Sequence, residues 1–166
     1  MPCIDPNVLI GYATEVAGIK SRRMRALLVL KKILETITKA NGYSANIDEV
    51  SFDVKSWRDR TSERTPVIYI VDSDTQVTRH AGKTRLYTWR VLLFGMVKEE
   101  EIDTFEEFLA DIQECVELNG WLGGIVAKSE VNNIITDNQL FSETEQTHLF
   151  EMQIQLEYCQ PHGDTR

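Results

Sequence analysis

The stretch His148-Leu149-Phe150-Glu151-Met152-Gln153-Ile154-Gln155-Leu156-Glu157-Tyr158 alternates almost without fault. Phe150, Met152, Ile154, Leu156 and Tyr158 fall on one face, and Glu151, Gln153, Gln155 and Glu157 on the other. A period of two is that of a strand with one side against a core and the other toward water. This one-sidedness decides the fold, because such a sheet needs a layer of helices on its apolar face and leaves the opposite face uncovered.

Two amphipathic segments supply that layer. Ser21 stands as an N-cap for a helix running to about Ala40, in which Leu27, Leu30, Leu34 and Ile37 recur at steps of three and four with Ile33 beside them, and Asn41-Gly42 ends it. Asp103, followed three residues later by Glu106, resembles a capping box. Phe105, Phe108, Leu109, Ile112 and Val116 then form an apolar stripe, and Glu106, Glu107, Asp111, Glu114 and Glu117 an acidic exposed face. Near the start, Asp5-Pro6 opens a short helix with Val8, Leu9, Tyr12 and Val16 near one face, interrupted around Gly18.

The remaining strands follow from their patterns. Val50, Phe52 and Val54 alternate against Ser51 and Asp53. After a hydrophilic loop over 55–65, Pro66 opens the β-branched run Val67 to Val71, apolar on both faces and therefore an inner strand. A polar loop from Asp72 to Thr84 leads into a long strand over Arg85 to Val97. A strand around Ile125 to Ile135 and a polar turn through Asp137 and Asn138 precede the final strand. The expected fold is α+β: an open, largely antiparallel sheet of about five strands, two main helices packed on one face, and an N-terminal helical arm. Residues 1–20 form the arm, 21–160 a single domain and 161–166 a tail.

Composition bounds the function. With 166 residues, 42% apolar and 27% charged, the chain has a globular composition sufficient for one core. No apolar run approaches the roughly 20 residues that span a bilayer, and the first twenty residues lack the pattern of a secretory signal. Cys3, Cys115 and Cys159, an odd number widely spaced, suit reduced thiols in a cytoplasmic protein. A formal charge of −8 argues against gripping nucleic acid by its phosphates, although not against surrounding DNA without holding it.

No catalytic or metal constellation emerges. Gly82-Lys83-Thr84 resembles the end of a phosphate loop, but the leading glycine is replaced by Val77 and the segment precedes a strand instead of a helix. Asp72, Asp74 and Gln76 imitate a calcium loop that then fails at Val77 and Lys83. His80, His148 and His162 are too dispersed for a zinc site. Cys115 lies at the apolar stripe of its helix, where a thiol is inert, and no G-x-S-x-G elbow occurs. The expectation is a non-enzyme without cofactor.

Two basic islands remain in this acidic chain: Arg58, Arg60 and Arg64 beside Trp57, and Arg79, His80, Lys83 and Arg85. They are either solubilising surface or a docking surface for acidic neighbours. Taken as docking loops, they make Trp57, Arg58, Arg60, Arg64, Asp72, Asp74, Arg79 and Lys83 the candidate assembly contacts.

The element order, with Asn41-Gly42-Tyr43, Val50, Arg64-Thr65-Pro66-Val67-Ile68-Tyr69-Ile70, Leu122-Gly123-Gly124 and Leu156-Glu157-Tyr158, resembles the tail terminator, or tail completion, proteins of tailed phages over about Arg22 to Tyr158. The resemblance implies a virion protein of the tail and neck, made in the host cytoplasm. It would form a homohexameric ring that caps the head-proximal end of the tail tube and stops its polymerisation. The implied partners are further copies of itself, the tail tube protein, the head connector or head-closure protein, and the sheath protein if the tail is contractile. Genomic DNA would pass through the lumen without specific binding, as carboxylates lining it would not retain phosphates. No membrane is involved. The alternatives are another head-tail connector or neck protein of the head-closure type, and a small enzyme of unknown chemistry.

Overall fold

The computed structural model describes residues 4–52, 66–79, 82, 84–98, 102–140 and 146–161. Helices α1 (Pro6–Glu15) and α2 (Arg22–Glu35) are followed by strands β1 (Glu49–Ser51), β2 (Val67–Arg79) and β3 (Thr84–Lys98), helix α3 (Ile102–Leu118), and strands β4 (Lys128–Leu140) and β5 (Gln146–Pro161). Short 3₁₀ turns lie at Lys39–Asn41 and Leu122–Gly124. The strands form one sheet in the order β1-β2-β3-β5-β4, with β1 parallel to β2 and every other pair antiparallel. The fold is α+β with a mixed, largely antiparallel sheet.

Local chemistry sets the helix starts. The Asp5 carboxylate accepts the Asn7 amide at 2.7 Å with Pro6 in the first turn, and the Ser21 hydroxyl accepts the Met24 amide at 3.2 Å. Helix α2 ends at Glu35, five residues before the expected Ala40. The β-branched run Thr36-Ile37-Thr38 ends it, with the Thr36 hydroxyl bonded back to the Ile33 carbonyl at 2.6 Å. Ile37 nevertheless stays fully buried. Helix α3 begins at Ile102, so Asp103 stands inside the first turn and not at the cap.

The core lies between the helices and one face of the sheet. Phe150, Met152, Ile154, Leu156 and Tyr158 are all buried, as the alternation requires. They meet Leu27, Leu30, Ile33 and Leu34 of α2 and Phe105, Phe108, Ile112 and Val116 of α3 in one cluster. The Phe108 ring meets Phe150 edge-on with centroids 6.0 Å apart, and Phe105 stacks on His148 at 4.7 Å. Opposite Phe150 in β3 is Gly95, where an added Cβ would sit 2.0 Å from the Phe150 ring. The glycine makes room for the aromatic cluster.

Several expectations are corrected. The polar segment from Asp72 to Thr84 is mostly strand: β2 runs on to Arg79, and Arg79 pairs with Arg85. Its residues up to Arg79 are polar apart from Val77, so alternation gives no signal even though Thr75 and Val77 share a face with the buried Trp89. Ser73 and Asp74 together oppose Arg90, which makes a β-bulge. Likewise Asp137 and Asn138 are not a turn; they pair with Leu149 and His148, and β4 starts at Lys128 because the turn at Leu122–Gly124 occupies the residues before it. Phe52 lies beyond β1 and is exposed, as is Val8 on α1, whereas Asp111 is buried and not on the acidic face.

The N-terminal helix is docked on its own chain. Leu9 is 1% exposed within the main core. At Gly123, with φ +67°, an added Cβ would lie 2.6 Å from the Leu9 carbonyl oxygen, so the turn at Leu122–Gly124 and α1 are in backbone contact. A Lys32–Glu15 ion pair joins α2 to the end of α1.

The face opposite the helices is not uniformly bare. Along β5 it carries a polar ladder in which Gln153 donates to Glu151 and Gln155 to Glu157 at 3.2 and 3.0 Å. At the β2–β3 end, Val67, Tyr69 and Met96 form a second buried cluster with Phe94 and Leu149 against it. Among the described residues no helix is long and apolar enough to cross a membrane.

Candidate interaction surface

The bulge in β2 organises one end of the molecule. Asp72 Oδ1 accepts from Trp89 Nε1 at 2.7 Å and from Arg23 Nη2 at 2.6 Å, while the Arg23 guanidinium lies over the Trp89 ring at 4.8 Å from its centroid. One carboxylate thus ties the N-terminal turn of α2 to β2 and β3. Its bulge neighbour Asp74 pairs with Arg90 Nε at 3.3 Å and accepts from the Ser73 hydroxyl at 3.1 Å.

Beside this node lies an open cavity of about 350 Å³, lined by Lys20, Ser21, Arg22, Arg23, Tyr87, Tyr158 and Gln160. Its flat wall is the pair Tyr87 and Tyr158, stacked with centroids 4.9 Å apart and planes within 2°. Arg22 sits 5.4 Å from the Tyr158 centroid and donates to the Cys159 carbonyl at 3.1 Å. Arg25 fixes the approach to the cavity by donating to the Ile19 carbonyl at 2.7 Å. Burial pushes the Tyr158 phenol above its ordinary pKa, with Arg23 and Arg22 pulling the other way.

Buried polar groups elsewhere are structural. Asp111 accepts the Ser44 amide at 2.8 Å; burial raises its pKa, and the amides of Ser44 and Ala45 oppose that shift. The Cys115 thiol donates to the Ile33 carbonyl at 3.4 Å, and burial pushes its pKa up to about 11. A thiol so rarely ionised is a poor nucleophile. Among the described residues no three His, Cys, Asp or Glu side chains gather into a metal site.

Of the residues singled out in the sequence, Asp72 and Asp74 come together at the bulge, both engaged within the chain. Arg79 lies at the far end of β2 opposite Arg85. Trp57, Arg58, Arg60, Arg64 and Lys83 lie outside the described residues. Sequence reasoning missed Lys20, Arg22 and Arg23. A signal existed: two arginines directly after a helix cap oppose the helix dipole, and α2 has no acidic residue in its first turn.

The fold and these surfaces define an α+β protein whose helices cover one side of an open sheet. Searches against protein-family models and curated proteins find no match to the chain.

Proposed function

We propose that this chain is a structural virion protein of the tail-terminator kind, forming a hexameric ring that caps the head-proximal end of a phage tail tube and joins it to the head connector. The observation that carries the reading is the long β2–β3 hairpin, in which β2 beyond Tyr69 is, among the described residues, an edge strand that leaves an apolar side chain uncovered. Val77 shares the helix-side face with Trp89 and Val91, yet it is 50% exposed while they are fully buried. An edge strand presenting a half-exposed β-branched apolar residue is suited to contact with neighbouring proteins. The element order that resembles the terminators, with two substantial helices over the sheet, favours this role over that of a tube protein.

A ring needs two different surface patches per subunit and a rotation that closes. It needs no bound cofactor and no reaction. Electron microscopy of the protein mixed with purified tail tubes tests the reading: rings at one tube end, with elongation arrested there, are expected. Tubes that stay bare and continue to lengthen would discard it.

A further inference from the structure

The two ends of the helix layer carry different exposed charged groups. At one end Lys20, Arg22 and Arg23 surround the cavity above Tyr87 and Tyr158. At the other, the exposed Glu106 and Glu107 lie beside Phe105, which packs on His148 and Phe150. Eight residue steps along β5 separate Tyr158 from Phe150, about 26 Å at the rise of a strand. Charges that far apart at the surface are screened from each other within one copy.

In a chain of net charge −8, three cations clustered around one cavity make a local positive patch complementary to a carboxylate. Arg23 has one in Asp72, but among the described residues no carboxylate pairs with Lys20 or Arg22. The stacked tyrosines, the Arg22 bond to Cys159 and the Arg25 bond to Ile19 give the cavity its lining within one copy. Side chains already engaged within the chain, such as Arg22, have less freedom to lose on binding.

We infer that this cavity receives the Glu106 and Glu107 carboxylates of a second copy of the chain, making a head-to-tail contact between the two ends of the helix layer. The inference rests on the ring reading and gives it one of its interfaces. Because the two patches differ and lie at opposite ends, the contact is heterologous and can propagate from copy to copy until it closes. Lys20 and Arg22 supply the charge, and the tyrosine pair supplies the flat apolar floor.

The test uses charge reversal and its repair on the full chain, with association followed by sedimentation velocity and native mass spectrometry. Lys20→Glu with Arg22→Glu, and separately Glu106→Lys with Glu107→Lys, should each weaken self-association about tenfold or more. Mixing the two variants should restore it, since every interface in an alternating assembly again joins opposite charges. Thermal melts of each variant separate lost assembly from lost folding, and restoration by mixing is not expected of misfolded chains. Rings that form undiminished in both variants would overturn this contact while leaving the ring reading intact. A loss that mixing fails to repair would also overturn it. A wild type that stays monomeric both alone and with tail tubes would overturn both, whereas repair within assemblies that are not hexameric supports the contact and sinks the hexamer.

Discussion

The indole N–H of the fully buried Trp89 donates to Asp72 Oδ1 at 2.7 Å, across the bulge that interrupts β2. Asp72 reads in the sequence as a loop residue free to meet a partner, but it is the acceptor that a buried tryptophan requires. Replacing it with alanine leaves the indole unsatisfied. We expect Asp72→Ala to lose about 1–3 kcal/mol in urea denaturation and Asp72→Asn, which keeps an acceptor, to lose less. Equal losses in the two variants would show that charge, and not the bond to Trp89, carries the effect. The Arg23 pair adds little of its own, since both side chains are partly exposed.

Gly95 is required by the ring opposite it. Phe150 is held among Phe105 and Phe108 and cannot swing aside. Gly95→Ala should therefore destabilise by about 1–3 kcal/mol through overpacking. Adding Phe150→Leu should cost less than the sum of the two single changes, because it vacates the space that the new methyl group needs. Additive losses would place the strain elsewhere.

Leu9 makes α1 part of the core. Leu9→Ala should cost about 2–5 kcal/mol, measured as a shifted denaturation midpoint with an unchanged slope. A loss below about 0.5 kcal/mol, the range of surface substitutions, would mean that the helix is only loosely attached.

The two described thiols should behave oppositely, since Cys115 is buried and Cys159 exposed. In a Cys3→Ser background, a thiol reagent at mildly alkaline pH should label Cys159 in the native protein and Cys115 only after unfolding. The pH dependence has a definite sign. The Cys115 pKa rises from 9.0 to about 11 on folding, so its contribution to stability is fully present below 9.0 and is lost as pH climbs through about 11. Cys115→Ala should flatten the stability profile over that interval, and an unaltered profile would assign the alkaline loss to other groups.

Much of the fold was legible because a period is a local property. The final strand shows its buried face residue by residue, and the stripes of α2 and α3 show theirs, so the one-sided helix layer follows from the chain alone. The β2–β3 hairpin was harder. Its outer half from Asp72 to Arg79 has polar side chains except Val77, and a single apolar residue leaves no alternation to read. The charges of α3 were legible as a face, but Asp111 was misplaced on it. Its burial depends on the Ser44 amide, distant in the chain, arriving as a partner.

By itself, the sequence determined the fold class of the protein: its helices, its strands and the apolar face of β5. Tertiary structure alone decided which surfaces are built. Arg22 and Arg23 on α2, Tyr87 on β3 and Tyr158 on β5 belong to three separate elements, and only the strand register sets the tyrosines ring to ring beside the arginines. The physical reason is that hydrophobic periodicity reports burial along one element. A cavity depends on the placement of several elements together, which long-range packing and register set and no local pattern encodes.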